Sequence, residues 1–204
     1  ISNLTINNAS DYQGFIGYME GGSVSNLTID GTINANNYVG GVAGYATNQA
    51  RIENCTNNAT LTGNQYVGGI VGYANGASLA TGAWIVGCNN TGSVSAYSSY
   101  AGGIVGYLNY SHVTHSENNA NLTGASTYVG GIAGYAYYSI IDRSTNYGDI
   151  TNYYSYTGGI AGYNNGSSSY RGYIRNSVNH GNITASSYSY VGGIAGYHYY
   201  GNYM

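Results

Sequence analysis

The chain is built from repeats. A block reading Tyr-Val-Gly-Gly-Ile-Ala-Gly-Tyr, or a close variant, occurs six times, and a divergent copy occurs at residues 11–18. The second glycine of each block follows the previous one by 27 to 34 residues, a period typical of solenoids, propellers and arrays. We therefore expect one repeat domain over residues 1–204. Its coils are anchored at Gly14, Gly41, Gly69, Gly103, Gly131, Gly159 and Gly193.

Two aliphatic columns recur between the glycine blocks. The first column contains Val24, Ile52, Ile85, Val113, Ile141 and Ile174, and the second contains Ile33, Leu61, Val94, Leu122, Ile150 and Ile183. Short aliphatic segments favour strands, which gives three strands per repeat with the glycine block. This pattern predicts an all-β fold, a parallel β-helix of about seven three-stranded coils, right-handed by analogy with parallel crossovers. A β-propeller is the alternative, although its blades usually need about 40 to 50 residues.

Small and polar residues follow the first aliphatic column at fixed places. Asparagine recurs at Asn57, Asn90, Asn118, Asn146 and Asn179. Each is followed two residues later by Gly or Ala, which is turn chemistry, and stacked coils would align the asparagines in an inward hydrogen-bonded ladder. Cys55 and Cys88 share a column in adjacent coils. Strands stacked about 4.8 Å apart suit either a disulfide between them or two stacked buried thiols.

The Gly-x-x-Gly core of the block carries a family resemblance. Gly41-Val-Ala-Gly44, Gly69-Ile-Val-Gly72 and Gly193-Ile-Ala-Gly196 are each part of a repeat that also contains an Ile-x-Asn-Cys/Ser-x-Asn segment or a variant of it. This combination resembles the GLUG-motif repeats of bacterial surface proteins, over nearly the whole chain. The resemblance implies a repeat fold and a secreted or wall-associated protein of the adhesin type. It carries over no catalytic residues.

Composition excludes several classes of partner. Charged residues make up 5% of the chain and the net charge is -3, whereas ordinary domains carry about 25% charged residues. Nucleic-acid binding needs clustered Lys or Arg, so we expect no nucleic-acid partner. No run of 18 apolar residues occurs, so we expect no insertion into a membrane.

No catalytic or metal-binding set emerges from the titratable residues. Aligned columns place no two carboxylates side by side on successive coils, as acid–base hydrolysis of a polysaccharide would need. His112, His115 and Glu117 look like metal ligands, but alternation along a strand sends side chains three apart to opposite faces. The sequence therefore predicts no enzyme, no cofactor and no metal. Asp142 falls one rung below Arg175, which predicts a modest surface ion pair.

Tyrosine forms two regular columns at the ends of the glycine block. One column contains Tyr38, Tyr66, Tyr100, Tyr128, Tyr156 and Tyr190, and the other contains Tyr18, Tyr45, Tyr73, Tyr107, Tyr135, Tyr163 and Tyr197. The simpler interpretation is structural, with rings that stack along the solenoid and cover the glycine-lined backbone. The alternative is a face that binds glycans or a neighbouring fibre.

The two longer repeats carry insertions 90 residues apart, at residues 74–84 and 164–173. Both insertions occupy the same place in their repeat. We therefore expect them to project from one corner of the solenoid, three rungs apart.

The two ends of the chain predict self-association. Ile1-Ser-Asn-Leu-Thr resembles Val24-Ser-Asn-Leu-Thr28, which follows a glycine block, and the chain stops soon after another block. Because solenoid ends usually carry caps, open ends predict head-to-tail stacking into a filament. The predicted interface contains Ile1, Leu4, Ile6, Ile194, Tyr197, Tyr199, Tyr200 and Tyr203. The short distance from Ile1 to Gly14 argues against an open end, because a shortened first coil could be a cap.

Two functional hypotheses result. The first is an extracellular structural protein that stacks head to tail with further copies of itself. The second is a stalk or glycan-binding region of a bacterial surface adhesin. The chain also begins without an initiator Met or a signal peptide, which predicts an excised or mature piece of a longer precursor.

Overall fold

A computed structural model describes residues 1–167, 172–186, 190–200 and 202–203. These residues form short strands that pair only in parallel, in five sheets that run along the molecule. Each coil contributes one strand to each sheet in turn, so the predicted parallel β-solenoid is confirmed. The predicted right-handed winding stays a prediction.

Sheets 1 and 2 contain the two halves of the glycine block. The strands of sheet 1 are Asn37–Gly40, Gln65–Gly68, Tyr100–Gly102, Tyr128–Gly130, Tyr156–Gly158 and Tyr190–Gly192. The strands of sheet 2 are Ile16–Glu20, Ala43–Thr47, Val71–Ala74, Val105–Asn109, Ala133–Tyr137, Ala161–Asn165 and Ala195–Tyr199.

Sheets 3, 4 and 5 contain the segments between glycine blocks. Sheet 3 contains Ser23–Ser25, Arg51–Glu53, Trp84–Val86, His112–Thr114, Ile140–Asp142, Tyr173–Arg175 and Asn202–Tyr203. Sheet 4 contains Thr28–Ile29, Thr56–Asn57, Asn89–Asn90, Glu117–Asn118, Thr145–Asn146 and Val178–Asn179. Sheet 5 contains Leu4–Asn7, Gly31–Asn34, Thr60–Gly63, Val94–Ala96, Leu122–Gly124, Ile150–Asn152 and Ile183–Ala185.

The strand register reproduces the columns predicted from the repeat. Ile52 pairs with Ile85 in sheet 3, and Leu61 pairs with Val94 in sheet 5. Both aliphatic columns point inward, and their members in the middle coils are fully buried. Burial of such side chains is the main favourable term in folding. Because the two aliphatic columns recur in every coil, their burial fixes how each coil aligns on the next.

The structure gives five strands per coil where the sequence predicts three. The glycine block bends between Gly40 and Ala43. A Cβ at Gly40 or Gly41 would collide with backbone or with the facing side chain, so the bend requires glycine at both positions. The segment after the first aliphatic column bends at one residue in the left-handed region. That corner residue is Asn26, Asn54, Gly87, His115, Arg143 or Asn176, with φ between 48 and 63°.

An asparagine ladder runs through the interior, as the sequence predicts. In each step the Nδ2 of one asparagine donates to the Oδ1 of the next, over 2.7 to 2.8 Å. The ladder connects Asn57, Asn90, Asn118, Asn146 and Asn179. The second amide hydrogen of Asn118 goes to Ala120 O in its own turn, over 2.8 Å. Buried polar groups need such partners, and here each coil supplies them to the next.

The anchor glycines lie directly against this ladder. A Cβ on Gly103 would collide with the side chain of Asn118 in the same coil and with Gly131 O in the next coil. Gly41, Gly69, Gly131 and Gly159 make the same two approaches at their own rungs. Glycine is therefore required at this position from the second coil to the sixth, where both an asparagine side chain and the next coil lie against it. Gly193, in the last coil, has no atom within 4 Å of its Cβ position.

Two further predictions concern the solenoid surface. Both insertions lie between sheets 2 and 3, after Val71–Ala74 and after Ala161–Asn165, so they share one corner as predicted; residues 168–171 of the second lie outside the described residues. Arg175 does contact Asp142, at 3.4 Å, but Asp142 is only 4% exposed. The prediction of a surface pair was wrong on that point, because Asp142 also accepts bonds from Asn176 and Arg143.

We expect Gly103→Ala to lower the free energy of unfolding by roughly 1–3 kcal/mol, the usual range for overpacking. The matched change Gly193→Ala should alter it by less than about 0.5 kcal/mol, because the added methyl group meets nothing. Urea unfolding followed by circular dichroism measures both. Equal losses in the two variants would contradict the role assigned to the ladder.

Candidate functional site

The most regular surface feature is a column of stacked tyrosine rings along sheet 1, which we call the first tyrosine column. It contains Tyr12, Tyr38, Tyr66, Tyr100, Tyr128, Tyr156 and Tyr190. Neighbouring ring centroids lie 4.5 to 5.2 Å apart with interplanar angles of 6 to 14°. The in-register sheet imposes this spacing, because strands stack about 4.8 Å apart.

A second tyrosine column runs beside it along sheet 2. It contains Tyr18, Tyr45, Tyr73, Tyr107, Tyr135, Tyr163 and Tyr197, with centroids 4.8 to 5.1 Å apart. Within each coil the two columns meet edge to face, at 5.0 to 5.9 Å. Stacked and edge-to-face pairs are both favourable aromatic geometries, so the predicted columns form one continuous double array.

Tyr12 belongs to the first column although the sequence alignment did not place it there. Gln13 pairs with Val39, so Gly14 is the counterpart of Gly40 and not of Gly41. The first half of this glycine block is therefore one residue out of step with the later blocks, whereas Tyr18 stays in register with Tyr45. An alignment of the repeats with a one-residue gap would have placed Tyr12 in the first column.

The backbone conformation varies along the first tyrosine column. Tyr12, Tyr38 and Tyr66 adopt φ values of 60, 56 and 55°, a conformation that is unfavourable for a bulky residue. None of Tyr100, Tyr128 and Tyr156 has a positive φ. Corner length does not separate the two groups, because Tyr12 follows the aliphatic Ile6 by six positions, as Tyr100 follows Val94.

Burial in the columns suppresses ionisation of the phenols. Desolvation, reinforced by neighbouring tyrosines, raises the pKa of Tyr45, Tyr100 and Tyr163 to about 12. The same causes raise the pKa of Tyr73 and Tyr107. Asn165 Nδ2 donates to the hydroxyl of Tyr135 over 2.9 Å. Burial therefore favours the neutral phenol at these five column tyrosines.

Stacking also determines what the columns can bind. A sugar ring packs on the face of an aromatic ring, but in both columns these faces are covered by the tyrosines above and below. Only ring edges and hydroxyl groups face solvent along the middle coils. Four exposed tyrosines lie outside the columns and away from both ends of the solenoid, and we call them the lateral tyrosines. They are Tyr97, Tyr147, Tyr153 and Tyr154.

Cys55 and Cys88 lie on adjacent rungs, as predicted, and both are buried, unbridged thiols. Cys55 Sγ lies 3.3 Å from Glu53 O, and Cys88 Sγ lies 3.5 Å from Val86 O. The neighbouring Cys55 thiol and burial raise the pKa of Cys88. The structure thus has the stacked-thiol arrangement, one of the two alternatives that the sequence left open.

The histidine cluster does not converge on a metal site. His112 is buried and stacks on Trp84, with ring centroids 3.7 Å apart, and its Nε2 hydrogen-bonds Leu79 O at 3.0 Å. His115 is exposed at a corner, and Glu117 lies beyond it in sheet 4. Within the described residues no group of three or more His, Cys, Asp or Glu could hold a metal ion.

The predicted assembly residues lie in the first and last coils. Ile1, Tyr197, Tyr199 and Tyr200 are exposed. Leu4, Ile6 and Ile194 are partly buried against the core, and Tyr203 pairs through its backbone with Ile174. These positions lie at the two ends of the solenoid.

The first coil begins at a different place from the one that the sequence comparison suggested. Leu4 pairs with Gly31, and the Ile1 amino group donates to Thr28 O, so Ile1 is the counterpart of Thr28 and not of Val24. The short distance from Ile1 to Gly14 therefore reflects a coil that starts in sheet 4.

These features define a parallel β-solenoid with a double tyrosine array on one side. The family model of the GLUG motif matches residues 35–62 and 125–151. The chain therefore carries GLUG repeats, which confirms the resemblance seen in its glycine blocks. The searches of curated proteins and of solved structures gave no match.

The GLUG repeats and the parallel β-solenoid together fit a repeat-type surface protein. In the part of the chain that the structure describes, no helix has the length and apolar character needed to cross a bilayer.

We expect alkaline pH to unfold the protein cooperatively as the columns ionise. The pKa of Tyr100 is about 12 in the folded protein against an ordinary value of 10.0, so its stabilising contribution is complete below pH 10 and is lost as pH rises through 12. Phenolate absorbance and circular dichroism should change together in this range. Full ionisation of the columns at pH 10 in a folded protein would contradict the assignment; urea-unfolded chain is the control.

Proposed function

We propose that this chain is an extracellular structural protein whose solenoid stacks head to tail into a filament. The observation that carries the proposal is the position of its exposed apolar side chains. Most of those among the described residues lie at the two ends of the solenoid, and only the four lateral tyrosines lie elsewhere. The end residues are Ile1, Tyr12, Phe15 and Tyr18 at one end, and Val178, Tyr190, Val191, Tyr197, Tyr199 and Tyr200 at the other.

Burial in one of these columns depends on a coil lying on both sides of it. Val67 and Val129 are 0% exposed, whereas Val191, in the same column of the last coil, is 50% exposed. One more coil of the same kind would cover Val191. A second copy of this chain offers such a coil.

The two end coils are complementary in register. Tyr190 ends the column that Tyr12 begins, so Tyr12 of a second copy would stack on it. Tyr197 and Tyr18 are related in the same way in the second column, and Ile183 and Ile6 in sheet 5. The strands at both ends have a partner on one side only, and open strand edges favour further pairing. A head-to-tail contact of this kind generates an open filament.

Electron microscopy of the purified 204-residue chain over a range of concentrations tests this proposal. Each subunit should add about 34 Å of length, since seven coils stack about 4.8 Å apart. Unbranched filaments that lengthen with concentration are the expected result. Discrete rods of one subunit at every concentration would refute filament formation.

Gly193→Ala tests the junction separately from folding. In the lower coils a Cβ at this position would collide with a carbonyl oxygen of the next coil, such as Gly193 O above Gly159. The variant should therefore fold normally but fail to form filaments, because its methyl group lies where a second copy must dock. Thr123→Ala, on the exposed side of sheet 5, is the control and should assemble like the original chain. Normal assembly of Gly193→Ala would disprove this register.

Two of the lateral tyrosines favour a second candidate, a glycan-binding stalk of a surface adhesin. Tyr97 and Tyr153 are each 64% exposed, so their rings can pack on sugars or on a neighbouring fibre, whereas Tyr147 stacks on His180. Glycan-array binding that is lost in Tyr97→Ala and Tyr153→Ala, and kept in Tyr107→Phe, would support this function. Binding that survives both alanine changes would exclude this site.

A further inference from the structure

The double tyrosine array is continuous from the first coil to the last. Every neighbouring pair in either column is in ring contact, and no step exceeds 5.2 Å between centroids. Cross-contacts in every coil connect the two columns. If one ring in one column is replaced, the ring contacts therefore continue through the other column.

Packing by itself does not require the hydroxyl groups. Phenylalanine would stack equally well, yet the chain has 27 tyrosines and a single phenylalanine, Phe15, which is outside both columns. The chemical property that tyrosine adds is one-electron oxidation. A phenol can lose one electron and one proton to form a phenoxyl radical, whereas a phenyl ring resists this oxidation.

We propose that the tyrosine columns conduct one-electron oxidising equivalents along the solenoid. The co-reactant is a high-potential one-electron oxidant acting at an end ring. In the first step, Tyr12 gives an electron to the oxidant and its phenolic proton to water, which leaves a neutral phenoxyl radical and an oxidant reduced by one electron.

Each later step is an exchange between neighbours. Tyr38 gives one electron and one proton to the Tyr12 radical, so Tyr12 becomes a phenol again and the radical moves one rung. No net charge or mass is gained, because each exchange turns one phenol into a radical and one radical into a phenol. Burial favours the phenol form of column tyrosines such as Tyr107, whose pKa it raises, so each exchange starts from a protonated ring.

A photo-oxidant attached at one end tests the proposal. The background is Cys55→Ser with Cys88→Ser, since serine already fills this column at Ser116 and Ser144. A ruthenium polypyridyl complex is attached through Ser10→Cys, at an exposed residue beside Tyr12. Light and a cobalt(III) ammine acceptor generate the Ru(III) oxidant in dilute single rods, and a nitroxide-forming spin trap with peptide mass spectrometry locates the radicals.

The expected result is trap adducts at Tyr190 and Tyr197, six rungs or about 29 Å from the label, with none at Tyr97, which is outside the columns. The blocked variant changes two successive rungs to phenylalanine, which keeps the rings stacked. Its substitutions are Tyr100→Phe, Tyr107→Phe, Tyr128→Phe and Tyr135→Phe. Adducts beyond the block should be lost, whereas those at Tyr38 and Tyr45 remain.

The matched control changes four tyrosines outside the columns and should behave like the original chain. Its substitutions are Tyr97→Phe, Tyr147→Phe, Tyr153→Phe and Tyr154→Phe. Circular dichroism verifies that both sets fold. Adducts confined to the labelled end of the unblocked chain, or reaching the far end of the blocked variant, would overturn the proposal. Because single rods are used, either result is independent of filament formation.

Discussion

The side chain of each ladder asparagine lies against the Cα of the anchor glycine in its own coil, and the rest of the structure depends on this approach. At Asn118 the carboxamide fills the interior between sheet 4 and the bend at Gly103, where a Cβ would collide with it. The same amide bonds the coils above and below. One residue pair thus fixes both the thickness of the coil and its vertical spacing, because neither the hydrogen bond nor the steric contact tolerates a shift in register.

The tyrosine columns follow from this register. Once each glycine block is aligned on the one below, the tyrosines at its two ends stand about 4.8 Å apart, which is also a favourable stacking distance for aromatic rings. Their rings cover a bend whose glycines present bare backbone. The array is therefore a structural element of the solenoid and, in our proposal, a chain of redox-active phenols held at contact distance.

Much of the fold could be predicted because a solenoid converts sequence period directly into contact. Residues one repeat apart become neighbours, so aligning the repeats gave the Ile52 and Asn57 columns and the neighbouring Cys55 and Cys88. The misplaced features are those where the period is broken. Tyr12 was missed because one residue is lacking in the first glycine bend, and the burial of Asp142 was missed because its partners Arg143 and Asn176 stand at corners.

The sequence alone determined the coil, its register from the second coil onward and the residues that face inward there, because periodic burial of aliphatic and amide side chains aligns each repeat on the next. The tertiary structure decided the number of strands per coil, since backbone bends at Gly41 and Asn54 depend on steric contacts across the coil. It also decided that the column tyrosines present edges and not faces to solvent. That orientation arises from ring packing between coils, which no single repeat contains.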